Sequence, residues 1–80
     1  QIFPAANFAH HALETAVRLA QGPTKAYGKV KTMMDQSWHS SLEDQLELET
    51  NGIAGIALTE DFQEGITAFA GKRRPWFQGR

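Results

Sequence analysis

Apolar residues recur at intervals of three and four along most of the chain, and this spacing restricts the fold more than any other feature. In residues 8–20 the apolar side chains are Phe8, Ala9, Ala12, Leu13, Ala16, Val17, Leu19 and Ala20. Side chains at these intervals share one face of an α-helix, whereas a half-buried strand alternates at every second residue. Later segments follow the same rule without strand-like alternation. The sequence therefore predicts an all-α fold of four amphipathic helices with short connections.

Helix breakers and capping residues divide this pattern into separate helices. Gly22 is expected to stop the first helix, and Pro23 to open the second in its first turn, where a missing N–H costs nothing. The second helix is expected to end within residues 37–40. Ser40 and Glu43 have the spacing of a capping box, in which each side chain accepts a hydrogen bond from a free backbone N–H. The third helix is predicted to begin there.

The third helix is predicted to continue to about Leu58, with one face formed by Leu42, Leu46, Ile53, Ile56 and Ala57. Gly52 and Gly55 each cost up to about 1 kcal/mol relative to alanine in a helix interior, so we expect a bend or the close approach of another helix there. Glu49 lies on the apolar face, where a buried carboxylate needs a partner. Two interpretations are a structural bond to a basic group or helix amino terminus, and general acid/base work.

The fourth helix is predicted to begin after Thr59, a residue that caps helix amino termini well. Acidic residues in its first turn and basic residues at its end suit the helix dipole. Pro75 is expected to terminate it. The apolar stripe consists of Phe62, Ile66 and Phe69, and the terminal cations are Lys72, Arg73 and Arg74.

Charge and composition exclude several classes of protein. Eight Lys and Arg against nine Asp and Glu give a formal net charge of -1, so we expect no nucleic-acid partner. No apolar run reaches the ~20 residues of a membrane span, and no membrane partner is expected. The absence of cysteine excludes disulfides and thiolate sites and is compatible with a cytoplasmic location. Because the sequence begins with Gln1 and lacks a signal-peptide pattern, we expect it to be part of a longer protein.

The histidines give little support for a metal or catalytic site. His10 and Glu14 are four residues apart and could share a metal ion, but a metal site needs converging ligands. Two solvent-facing side chains are the simpler interpretation, so no metal is expected. No metalloprotease spacing, Ser-His-Asp set or glycine-rich phosphate loop is present. No catalytic residue is therefore predicted in this chain.

The segment FAGKRRPWF, residues 69–77, combines three consecutive cations with three aromatic residues at a helix end. Cations can bind phosphates while aromatic rings stack on a nucleobase, an interaction worth about 1–3 kcal/mol per base. The alternative is a solvated helix end whose cations suit the dipole and whose aromatic residues only pack. The residues alone leave both interpretations open.

Three motifs follow one another along the chain: LAQGPTKAYGKVK at residues 19–31, LEDQLELET at residues 42–50 and TEDFQEGITAFAGKRRPWFQG at residues 59–79. Together they resemble segments of the enoyl-CoA hydratase/isomerase (crotonase) family. The last of the three resembles the family's carboxy-terminal signature, including its Lys-Arg-x-Pro-x-Phe ending. The branch most resembled contains phenylacetate-pathway enoyl-CoA hydratases and epoxide-forming CoA-ester isomerases. One departure is Gly71, where many relatives have glutamate.

The resemblance implies a division of labour within a larger enzyme. Residues 1–80 would form the carboxy-terminal helical domain, which serves in oligomerisation and as an active-site lid, while the amino-terminal catalytic spiral core is absent. The full-length enzyme would hydrate or isomerise enoyl-CoA thioesters through an enolate held in an oxyanion hole. Since that hole commonly supplies several kcal/mol, the isolated segment is expected to be inactive.

The resemblance also implies a binding site and an assembly. Phe69 and Lys72 match family residues that lie near the adenine and the 3′-phosphate of coenzyme A. Coenzyme A would enter as part of the acyl-CoA substrate, and no further cofactor is implied. The family forms trimers, often paired into hexamers, so a homo-oligomer is expected. We also expect the isolated segment to associate with itself, because its apolar faces would lack their cover.

Two other interpretations remain. The chain could be a freestanding helical module that binds a protein or, weakly, a nucleic acid through its basic tail. It could also be a structural bundle without ligand affinity.

Overall fold

The computed structural model describes residues 1–80 as a helical chain without strands. A single 3-10 turn, Ala5–Asn7, precedes four α-helices. These are α1 (Phe8–Ala20), α2 (Thr24–Ser37), α3 (Leu42–Ala57) and α4 (Glu60–Ala70). Residues 71–80, called the tail below, contain no regular secondary structure. The prediction of an all-α fold with four helices and short connections is confirmed.

The corner between α1 and α2 depends on Gly22. This glycine is buried, and a Cβ placed on it would overlap the side chain of Tyr27. Pro23 occupies the N-cap position and its carbonyl accepts a hydrogen bond from the Tyr27 N–H at 3.1 Å. The proline therefore lies one residue before the predicted first turn of α2, and the tyrosine ring closes over the bend.

The predicted capping box at Ser40 is wrong by one residue. The Ser40 hydroxyl donates to the Gln36 carbonyl at 2.9 Å and so serves the end of α2. Ser41 is extended (φ -67°, ψ 166°) and its hydroxyl accepts from the Asp44 N–H at 3.1 Å. Because Ser40 is occupied by the preceding helix, its neighbour caps α3, and Glu43 takes no part in the cap.

Helices α2 and α3 pack against each other at Gly52. A Cβ there would lie 3.0 Å from the Met33 Sδ and 3.2 Å from the Lys29 Cε, so both side chains would have to shift to admit a larger residue. The expected close contact is therefore confirmed at Gly52. The prediction of a close contact is wrong at Gly55, where a Cβ would meet nothing within 4 Å.

The predicted apolar face of α3 is largely uncovered. Leu42, Leu46 and Ile53 are exposed, and Glu49, on the same face, is exposed as well. The Glu49 carboxylate accepts from the Gln45 side chain at 3.3 Å. The prediction that Glu49 is buried and needs a partner is wrong, because α2 covers a different side of α3.

The chain is more open than a compact protein of its length. Its radius of gyration is 15.8 Å, whereas about 12 Å is typical of 80 residues. Its accessible surface is 6621 Å², against roughly 4,800 Å² for a compact protein of 8.9 kDa. Ala68 is the one apolar side chain beyond glycine that is buried. None of the helices combines the length and hydropathy needed to cross a bilayer. The helices thus hold their arrangement with little core between them.

The cap of α3 can be tested with two neighbouring serines. We expect Ser41→Ala to lower the free energy of unfolding by about 1 kcal/mol, because it frees the Asp44 N–H. Ser40→Ala is the matched control and is expected to cost less than half as much, since it removes only an exposed bond to the Gln36 carbonyl. Urea denaturation followed by circular dichroism measures both, and a larger loss for Ser40→Ala would contradict this assignment.

Candidate functional site

Helix α4 ends at a tight turn that sets the position of Lys72. The Arg73 N–H donates to the Ala68 carbonyl at 3.0 Å, and the Lys72 N–H donates to the Phe69 carbonyl at 3.2 Å. These are the two bonds of a Schellman motif. Its left-handed position, usually glycine, is here Lys72 with φ 50°, while Gly71 keeps φ -81°. The helix therefore ends at Ala70, and the prediction that Pro75 terminates it is wrong because the turn closes earlier.

Two carboxylates on α4 hold the tail against the helix. Asp61 is only 4% exposed, and its two oxygens accept from the backbone N–H groups of Gln78 at 2.7 Å and Gly79 at 2.8 Å. The Asp61 N–H in turn donates to the Arg80 carbonyl at 2.8 Å. One turn further along, Glu64 accepts from the Trp76 N–H at 2.7 Å. The tail backbone thus obtains its hydrogen bonds from α4.

Glu64 also forms a two-bond ion pair with Arg73. The guanidinium donates to the two carboxylate oxygens at 2.7 and 2.9 Å. This bond, together with the one from the Trp76 N–H, holds the pKa of Glu64 at about 2, below its ordinary 4.5. The same bond raises the pKa of Arg73. One of the three consecutive cations is therefore engaged within the chain.

An open apolar groove of about 350 Å³ lies where α2, α3, α4 and the tail meet. Phe77 forms its tail side, with its ring 3.6 Å from a Cβ built on Gly65. Phe69, in the last turn of α4, also lines it and is 88% exposed. The other lining residues are Pro23, Lys25, Ala26, Ile56, Thr59, Asp61, Phe62 and Ile66. The groove combines aromatic rings with one cation.

The two predicted ligand-binding residues, Phe69 and Lys72, lie three residues apart at the end of α4. Phe69 faces the groove, whereas Lys72 lies just beyond the helix and does not line it. The Lys72 side chain is exposed and forms no salt bridge. The carboxy end of α4 therefore carries an exposed aromatic ring and, just beyond it, an ammonium group without an ion-pair partner.

His10 and His11 occupy a different region, on α1. Glu14 contacts both His10, at 3.4 Å, and His11, at 3.3 Å, and the His11 ring stacks on Phe3 with centroids 5.0 Å apart. No group of three or more His, Cys, Asp or Glu side chains is arranged to hold a metal ion. Glu14 thus pairs with side chains of its own helix.

The anchoring roles of Asp61 and Glu64 were missed from the sequence. Asp61 lies in the first turn of α4, where the dipole is a sufficient local explanation for an acidic residue, and Thr59 caps the helix by accepting from the Phe62 N–H at 3.2 Å. The sequence did contain a signal for these roles. Asp61 and Glu64 are three residues apart on one helix, and an arginine and a proline, Arg73 and Pro75, follow that helix.

The depressed pKa of Glu64 gives a testable pH dependence. A carboxylate whose folded pKa is lowered stabilises the fold fully above its unfolded value, and this contribution disappears as pH falls from about 4.5 through about 2. We expect the tail to loosen in this interval, seen as faster exchange of the Trp76 amide in NMR spectra. Glu64→Gln should remove this dependence.

Glu60→Gln is the matched control, because Glu60 contacts only the Arg80 side chain at 2.9 Å. This variant should keep the acid transition of the Trp76 amide. An unchanged transition in Glu64→Gln would reject the assignment.

The family model described as enoyl-CoA hydratase/isomerase matches residues 1–80. A probable enoyl-CoA hydratase from Rhodobacter capsulatus is 38% identical over 96% of this chain and 30% of its own length. A 2,3-dehydroadipyl-CoA hydratase from Escherichia coli is 35% identical over 99% of this chain and 31% of its own. A 1,2-epoxyphenylacetyl-CoA isomerase from Escherichia coli is 31% identical over 100% and 30%.

The fold agrees with these matches. The crystal structure of an enoyl-CoA hydratase from Geobacillus kaustophilus superposes with a TM-score of 0.91 at 28% identity, covering 98% of this chain and 30% of that one. The chain spans about 30% of the length of these relatives. The isomerase belongs to the branch that the motifs resemble. The chain belongs to the enoyl-CoA hydratase/isomerase family.

Proposed function

We propose that this chain is the carboxy-terminal helical segment of an enzyme that hydrates or isomerises enoyl-CoA thioesters. The named relatives include both hydratases and an isomerase, and each is about three times longer than the part this chain matches. In this proposal the remaining part carries the oxyanion hole that stabilises the enolate. The 80-residue segment alone is inactive in this proposal, because the oxyanion hole lies outside it.

The segment's own task is to bind the nucleotide end of coenzyme A. The observation that carries this is Lys72 in a left-handed conformation, which costs a non-glycine residue roughly 1 kcal/mol or more. Glycine would fill the turn at lower cost, so the ammonium itself explains the lysine. A free ammonium suits the 3′-phosphate, and the exposed ring of Phe69 suits the adenine.

The second task is assembly. The chain exposes roughly 1,800 Å² more surface than a compact protein of its mass, which exceeds what one partner buries in a standard interface. The exposed apolar side chains include Leu42, Leu46 and Ile53 of α3. In the proposed enzyme, the catalytic core and neighbouring subunits cover these faces, and the helices close over the active site as a lid.

The role of Lys72 can be tested in the full-length enzyme. We expect Lys72→Ala to weaken the binding of CoA thioesters by roughly tenfold, the value of one charge-assisted hydrogen bond, and that of pantetheine thioesters hardly at all. Pantetheine lacks the 3′-phosphate. Arg74→Ala removes a neighbouring cation and is the control. Equal losses for both thioesters would reject the role.

Self-association can be tested on the 80-residue chain. We expect light scattering to detect dimers or larger species whose proportion rises with concentration, because uncovered apolar faces seek partners. Ile53→Glu, on the open face of α3, should reduce association, whereas Asn51→Glu adds the same charge to a polar position. A monodisperse monomer at high concentration would contradict the prediction.

A further inference from the structure

Lys25 lines the same groove as Phe69. It lies in the first turn of α2, and the groove takes its other residues chiefly from α4 and the tail. Lys25 is the only basic residue among those that line the groove. Phe69 and Lys25 therefore belong to one concave surface, supplied by two helices.

Nothing within the chain uses the charge of Lys25. Its side chain is exposed and takes part in none of the four salt bridges. The single carboxylate lining the groove is Asp61, and both of its oxygens already accept from tail N–H groups. The ammonium thus remains available to an anion from outside.

Local helix stability does not explain the lysine either. A cation in the first turn faces the positive end of the helix dipole, where an acidic residue would be favoured. The first turn of α2 contains no acidic residue that would offset it.

We propose that Lys25 binds the diphosphate of coenzyme A, while Lys72 takes the 3′-phosphate on the other side of the adenine. This inference rests on the proposed function. Coenzyme A carries phosphates on two sides of the ribose that bears its adenine. Lys25 lines the same groove as Phe69, and Lys72 follows Phe69 by three residues, just outside the groove. Point charges of this kind suit phosphate oxygens without fixed geometry.

Three probes separate the two lysines in calorimetric titrations of the full-length enzyme: coenzyme A, 3′-dephospho-coenzyme A and pantetheine. We expect Lys25→Ala to weaken the binding of coenzyme A and of its dephospho form equally, by about threefold to tenfold, and to leave the binding of pantetheine unchanged. The affinity that remains should depend less on ionic strength, because one exposed charge pair is gone.

Control variants exclude a general effect on folding. Lys31→Ala removes a cation of the same helix outside the groove and should bind all three probes as the wild type does. Lys25→Arg keeps the charge and should retain most of the affinity. Since Lys25 opposes the dipole, Lys25→Ala should unfold at the same temperature as the wild type or higher.

The inference is overturned if Lys25→Ala binds coenzyme A as well as Lys31→Ala does, or if pantetheine binding falls equally. It is also overturned if Lys25→Ala abolishes the difference between coenzyme A and its dephospho form, since that would place the lysine at the 3′-phosphate. A wild-type enzyme that binds coenzyme A no better than pantetheine would instead reject the proposed function, and this inference with it.

Discussion

The anchoring of the tail by Asp61 and Glu64 organises the functional end of the molecule. Residues 71–80 have no helix or strand of their own, so their backbone N–H groups need acceptors elsewhere. The two carboxylates of α4 supply them, with distances of 2.7 and 2.8 Å to three tail amides. Phe77 is thereby placed against Gly65, which completes the apolar groove beside Phe69.

The same arrangement explains how a non-glycine residue can occupy the left-handed turn after α4. The Schellman bonds direct Arg73 back toward Glu64, and this ion pair closes the chain around the left-handed residue between them. The local conformational cost at Lys72 is offset by the contacts on either side. Cations of one short run therefore have different tasks: Arg73 is structural, whereas Lys72 stays free.

The openness of the fold and its family membership support one interpretation. Four helices that bury almost no core between them do not resemble an independent domain, and the chain matches about 30% of each relative's length. The close contact of α2 with α3 at Gly52 keeps two helices together without covering the outer face of α3. That face is what the proposed core and subunit partners would bury.

The sequence by itself determined the four helices, most of their ends and the family, because helix bonds, caps and apolar spacing all act within a few residues of each other. The tertiary structure decided which faces are paired, where Glu49 points, which serine caps α3 and where the tail runs. The bonds from Asp61 and Glu64 to the tail join residues 9 to 19 positions apart. No local periodicity encodes such contacts, since they depend on how separate segments meet in space.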